Sequence, residues 1–405
     1  MTMTTSTIGK RKAGRSAPLM KGLLAGLLSV CSFGLDRGAQ AEPGPLAQAL
    51  YGKSEETPFL DVRGWLAQGF TWNTTSESSY NGTISFNDRA QEYQMNQLYL
   101  ILEHKVAASG DAWDLGGRVD FLYGTDTPFT TSIGFDDRWG VHASRYYRPA
   151  VPQAYLEANV PVWNGVSIKA GHFYTPIGYE VVTAPDNFFY SHAYTMQYGE
   201  PFTHWGVLSS TSFCDGEYTF SLGAVQGWDN MSDTTNHNLS TIGGVTWAIT
   251  DKNTLAATMI GGNEDSQDAH RYMYSLVLTN KITDKFTYVV QHDHGIQLVS
   301  NSSSRQWFGL NQYFLYTLSD TLSAGVRAEW FRDEEGVRVV GVRSGYGGKG
   351  DYYELTTGVN YKAHDLVTIR PELRWDIKRN PRTGPFDRGQ ENTQLVAAVD
   401  AIVKF

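Results

Sequence analysis

The chain has 405 residues, 41% apolar and 13% aromatic, with 33 basic and 42 acidic side chains and a formal net charge of −9. An acidic balance of this size argues against nucleic acid as a partner. With 2 cysteines and no long apolar run beyond the N-terminal stretch, it is neither a disulfide scaffold nor a bundle of membrane helices.

In chain order, the first stretch reads as a targeting segment. Lys10, Arg11, Lys12 and Arg15 supply a basic start, Leu23–Val30 an apolar core, and Ala39-Gln40-Ala41 a small-x-small cleavage site. A membrane anchor needs roughly 20 apolar residues, and this run is shorter. A lipoprotein signal is disfavoured because Val30 precedes Cys31, where a small residue is expected. Residues 1–41 are expected to be a secretory signal peptide, 42–58 a short periplasmic segment, and 59–405 a β-domain. Cleavage removes six basic residues and one acidic residue, so the net charge moves from −9 to −14. Cys214 is then the remaining cysteine.

From Asp61 onward, short and long connections alternate. Short turns fall at Ser109–Asp111, Asn164-Gly165, Asp215-Gly216, Ala248–Lys252, Lys281–Lys285, Thr317–Thr321 and Lys362–Leu366. The last four place Asp251, Asp284, Asp320 and Asp365 where a carboxylate can accept nearby backbone N–H groups. Longer connections run over 73–91, 125–149, 173–203, 229–238, 262–270, 299–304, 333–351 and 379–391. Seven short turns and eight long loops imply sixteen strands, or fourteen if 262–270 and 299–304 are not true connections. An antiparallel up-and-down barrel spanning a membrane has this alternation.

The strands carry period-two patterning. Val367, Ile369, Pro371, Leu373, Trp375 and Ile377 form one face of a strand; Arg370, Glu372, Arg374, Asp376 and Lys378 form the other. Five charges at period two cannot face a dry core, because burying unpaired ions is prohibitive; they can line water. Leu322–Asp333 places Arg327 and Glu329 opposite Leu322, Ala324, Val326, Ala328 and Trp330. Arg118, Asp120 and Lys169 sit in the same way on earlier strands. Nine of these charges, Arg118, Asp120, Lys169, Arg327, Glu329, Arg370, Glu372, Arg374 and Asp376, are candidate pore-lining residues. The last stretch is apolar at Leu395, Ala397, Val399, Ala401 and Val403, and Phe405 continues the register. A soluble β-sandwich also alternates. It does not account for a sixteen-strand meander, nor for aromatics at strand ends such as Trp65, Trp72, Trp113, Trp247, Trp330 and Trp375.

Several segments together resemble one known family. They are Gly64-Trp65 with Thr71-Trp72-Asn73; Asn96–Leu100; Trp113–Asp120 with Tyr123–Asp126; Gln153-Ala154-Tyr155; Gly171-His172-Phe173 with Gly178-Tyr179-Glu180; Ala184–Asn187 with Tyr190-Ser191; and Arg370–Arg374. They resemble the OmpL-like β-barrel porin family of bacterial outer membranes. The resemblance implies a Gram-negative outer-membrane pore for small hydrophilic solutes, without naming a substrate. It also implies that Phe405 is a C-terminal signal for the outer-membrane assembly machinery. The expected surroundings are outer-membrane lipid, with a homo-oligomer left open.

The third long connection, 173–203, holds nine aromatic residues and three acids, Glu180, Asp186 and Glu200. So aromatic a loop is expected to find cover. The inner wall of the barrel is the economical cover, with the thirteenth and fifteenth strands opposite. Glu180, Asp186, Asn187, His192 and Glu200 are then candidate constriction residues. The alternatives are wall charges that pair among themselves, and a loop packed between protomers.

Catalytic signals are weak. His292-Asp293-His294 puts two imidazoles on one strand face, and His172 and His204 flank the third loop, but no spacing requires a shared metal. Gly341–Gly345 is not a nucleophile elbow, and Tyr346–Gly350 lacks phosphate-loop spacing. The expectation is a porin with no reaction, no cofactor and no metal. A structural, adhesive or enzymatic barrel with a closed lumen is the alternative. An energy-driven receptor would need a plug domain and more strands.

Overall fold

The computed structural model describes residues 45–46, 59–75, 79–106, 112–141, 146–232, 239–264, 269–299, 303–341, 345–379 and 384–405. The expected signal peptide 1–41, nearly all of segment 42–58 and the turn Ser109–Asp111 lie outside the described residues, as does part of the Gly341–Gly345 motif.

Sixteen strands follow one another: β1 (Asp61–Asn73), β2 (Glu92–His104), β3 (Asp114–Gly124), β4 (Arg148–Val160), β5 (Val166–Tyr174), β6 (Thr203–Phe213), β7 (Tyr218–Val225) and β8 (Ser240–Ala248). The second half comprises β9 (Asn253–Asn263), β10 (His270–Lys281), β11 (Phe286–Leu298), β12 (Arg305–Ser319), β13 (Leu322–Asp333), β14 (Gly350–His364), β15 (Val367–Arg379) and β16 (Thr393–Lys404). Each strand pairs with its sequence neighbours, and β1 pairs antiparallel with β16, so the sheet closes into a barrel. The connections at 262–270 and 299–304 both join strands, which settles sixteen over fourteen.

Closure removes every sheet edge. The seam runs from Trp65 opposite Lys404 to Asn73 opposite Val396. Gly64 and Phe405 exchange both backbone bonds at 2.9 Å. The Phe405 ring lies over Gly64, where a Cβ would come within 2.6 Å of it.

The outer face is apolar, with Leu115 70%, Leu156 75% and Leu222 63% exposed. A continuous greasy band of this kind suits hydrocarbon rather than water. Trp72, Trp113 and Trp375 lie on it. Trp65 departs from that expectation. It shares the inward parity of Arg63 and Ala67, stacks on Tyr99 at 4.1 Å and donates to Gln97 Oε1 at 2.9 Å.

The short turns also differ in detail from the sequence reading. The side chain that accepts turn N–H groups is the residue before each Asp. Thr250 Oγ1 accepts from Lys252 and Asn253 at 3.2 and 3.1 Å, and Thr283 Oγ1 from Lys285 and Phe286 at 3.3 and 3.0 Å. Ser319 Oγ and His364 Nδ1 take that place at the other two turns. At three of the turns a hydroxyl reaches the amide two residues on, as in Ser/Thr turns; at the fourth, where His364 accepts, Asp365 pairs with Lys362 at 2.9 Å.

Candidate pore constriction

Residues 175–202 connect β5 to β6. The segment organises itself first. Asn187 Oδ1 accepts from the Val181 amide at 2.9 Å, and its Nδ2 donates to the Val181 and Thr183 carbonyls at 2.6 and 3.0 Å. Thr183 Oγ1 donates to Asp186 at 2.5 Å. Gly178 has φ +92°, and the Glu200 carboxylate fills the space where a Cβ would stand. A short helical turn, Thr195–Gly199, closes the loop and is wholly buried.

This loop rests on the inward-facing residues of β13 and β15. Arg327 NH1 donates to Glu180 Oε1 at 2.6 Å and to the Ser191 carbonyl at 2.7 Å, while Nε donates to Glu354 at 2.9 Å. Glu329 accepts from the Tyr194 and Thr195 amides, both at 2.6 Å. Glu372 accepts from the Tyr190 and Ser191 amides at 2.9 and 3.1 Å. Arg370 NH1 donates to the Ala184 and Asn187 carbonyls at 2.9 and 2.6 Å, with Asp400 as its ion partner at 2.6 Å. Arg374 NH1 donates to the His192 carbonyl at 2.5 Å and pairs with Asp376, which also accepts from the Tyr194 hydroxyl. The wall charges thus bond both to one another and to the loop's backbone. Their burial is tolerable because each has a partner. Burial would push the Glu180 carboxyl up, but Arg327 and His192 together hold it down to about 2.

Shape complements charge. Tyr190, Thr195 and Phe188 sit over Gly69, Gly309 and Gly325, where a Cβ would come within 2.7, 2.3 and 2.5 Å. The first long connection also joins in. Tyr198 Oη donates to the Thr83 carbonyl, the Ser85 amide donates to Gln197, and Phe86 packs on His192 at 4.4 Å.

The profile of the family described as "Putative beta-barrel porin-2, OmpL-like" matches residues 60–405. The chain belongs to this family. A search of curated proteins returns no significant match. Among solved structures, this OmpL-like barrel is similar to the outer-membrane channel DcaP of Acinetobacter baumannii, with TM-score 0.55 at 10% identity, covering 85% of this chain and 97% of the other. It is also similar to OmpT of Vibrio cholerae, with TM-score 0.53 at 11% identity and coverage of 86% and 99%. The anion-selective porin from Comamonas acidovorans gives TM-score 0.57 at 7% identity, with coverage of 85% and 99%. At such identities the likeness establishes a porin-type fold.

Elsewhere in the OmpL-like barrel, Arg118 pairs with Asp120 at 2.7 Å near Glu103. Lys169 lies 4.3 Å from the Tyr155 ring centre. Arg118 and Lys169 keep some exposure, as do Arg63, Glu103 and Glu157 nearby. Ser210, Ser221, Thr246 and Thr254, facing inward on β6 to β9, are partly exposed too. On this short-turn half the inward face is polar and partly exposed. Toward the long loops the inward face becomes apolar. Leu208, Val225, Ile242, Ile260, Met273, Trp307, Phe331 and Tyr352 form one buried cluster with Ile177, Tyr194 and Tyr198 of the loop.

Glu200 meets no arginine. Gln291 Nε2 bridges it to Asp293, at 2.5 and 3.0 Å. Burial, then Asp293, raises the Glu200 carboxyl well above the usual range. His292 and His294 face outward around Tyr274, while Asp293 is buried inside. His172 stacks on Trp205 outside the wall, and His204 bonds the Gly227 carbonyl and Thr175. Among the described residues no three His, Cys, Asp or Glu side chains form a metal cluster. Sequence reasoning missed Glu354 and Asp400, the partners of Arg327 and Arg370. The signal was there in an acid at an inward position of β14 and in Asp400 amid the apolar run of β16.

Proposed function

We propose that the protein is an outer-membrane porin that lets small hydrophilic solutes diffuse down their gradients, with no reaction and no cofactor. The supporting observation is the third loop, fastened by buried charges of β13 and β15 while the opposite wall keeps partly exposed polar side chains. A barrel narrowed on one side leaves a path along β5 to β9. The apolar outer band and the porin-type fold support residence in outer-membrane lipid. The apolar cluster toward the long loops favours a second reading, a barrel closed at rest. Single-channel recording of the refolded chain in a planar bilayer decides between them. Stable steps support the porin. A folded, heat-modifiable barrel without steps supports the closed one.

A further inference from the structure

At the long-loop end the Trp228 indole and the terminal nitrogens of Arg338 keep donor capacity that no described acceptor takes. Trp228, in the connection after β7, is 7% exposed. The Arg338 and Arg271 guanidinium carbons lie 4.9 and 4.8 Å from its ring centre, and Arg338 lies 5.0 Å from that of Trp307. The indole Nε1–H of Trp228 is buried with no acceptor. Arg338 donates through Nε to the Tyr198 carbonyl at 2.7 Å and forms no ion pair with any described residue. Its NH1 and NH2 remain available.

The nearby acids are committed elsewhere. Asp333 accepts from the amides of Gly336, Val337, Arg338 and Val339 at 2.7 to 3.1 Å. Asp229 accepts from the Phe202 and Thr203 amides at 2.9 and 2.7 Å. Glu264 pairs with Arg271 at 3.4 Å and takes the Trp228 amide at 3.2 Å. Desolvation, with Arg271 adding to it, pulls Arg338 down to about 9, as expected of a cation short of counter-charge. A half-buried guanidinium against two indoles, with an unpaired indole N–H in the same group, costs free energy unless an anion completes it.

We propose that Arg338, Trp228 and Arg271 form a binding site for a small oxyanion, a phosphate or carboxylate group that accepts from the free edge of Arg338. Its partner groups are the terminal nitrogens of Arg338 and the Trp228 indole, with Arg271 adding charge. The site deepens the porin reading only in lying on the solute path; binding does not depend on conduction.

The test is calorimetric titration of the refolded full chain in detergent with inorganic phosphate, at constant ionic strength set with chloride. Saturable binding is expected, weakened at least tenfold by Arg338→Gln. Trp228→Phe keeps the ring and removes the donor, so several-fold weakening is expected there. It also serves if Arg338→Gln does not fold. Binding unchanged in a folded variant, or no saturable heat with phosphate, overturns the site. Bilayer recording separates the two ideas. Phosphate binding without conductance steps sinks the porin reading alone; steps without phosphate binding sink the site alone.

Discussion

Arg327 fastens the third loop to the wall. It holds Glu180, Glu354 and the Ser191 carbonyl at once, with no exposed surface. Removing one member of a buried ion set leaves the others uncompensated, which typically costs about 3–5 kcal/mol. Arg327→Ala is therefore expected to destabilise the barrel by about that much, measured by urea unfolding in detergent. A loss below about 1 kcal/mol, the level of surface pairs, would mean that water reaches these charges. The same residues set a pH dependence. The Glu180 carboxyl is depressed to about 2. A depressed carboxyl contributes its full stabilisation above its unfolded value near 4.3 and loses it as pH falls toward the folded value. The latch should thus hold at pH 5 and weaken between about pH 4 and 2. Protease cleavage within 181–198 reads this. Cleavage that already rises between pH 7 and 5 would contradict it.

At the scale of elements, the third loop and the wall fit by shape as well as by charge. Gly325 lies under Phe188, and Gly309 under Thr195. Gly325→Leu adds bulk there without touching an ion pair. It is expected to lift the loop and raise single-channel conductance, with folding checked by heat-modifiable migration; unchanged conductance in a folded variant would mean that the loop does not limit flow. The strands were legible in the sequence because lipid and lumen impose period two on each one separately. Leu373 and Trp375 alternate with Arg374 and Asp376 whatever the rest of the chain does. The loop was legible as an object seeking cover, from its aromatic content. Its partners were less so. Glu180 and Arg327 are 147 residues apart, and no local pattern encodes that pairing. The first long connection gave no signal. Asn81, Thr83, Ser85 and Asn87 look like a solvated turn, yet all four are buried, Thr83 and Ser85 by bonds to the third loop. Trp65 misled because it sits at the inward parity of β1, opposite to that of Phe70 and Trp72.

For the whole molecule, the distribution of charge around the barrel matters more than the net value. The wall of β13 to β16 is ionic and covered by the loop, whereas on β6 to β9 the inward positions nearest the short turns, Ser210, Ser221, Thr246 and Thr254, are hydroxyls with partial exposure. The porin reading sends water along the uncovered side. An aqueous path along that wall makes a specific demand on Ser221, whose hydroxyl faces inward on β7 and donates to the Gly244 carbonyl at 3.4 Å. In a Cys214→Ser background, needed because Cys214 is exposed, Ser221→Cys should react with a small charged thiol reagent and the current should drop by roughly half or more, since a bulky charge in a narrow polar pore obstructs ions directly. A cysteine in place of Thr356, on the covered wall with no exposure, should stay unmodified in the same preparation. Equal reactivity at both positions would mean that the third loop leaves the wall in solution. If Ser221→Cys reacts and the current persists, the conducting path runs elsewhere, along the charged strands β1 to β4 beside Arg118 and Glu103.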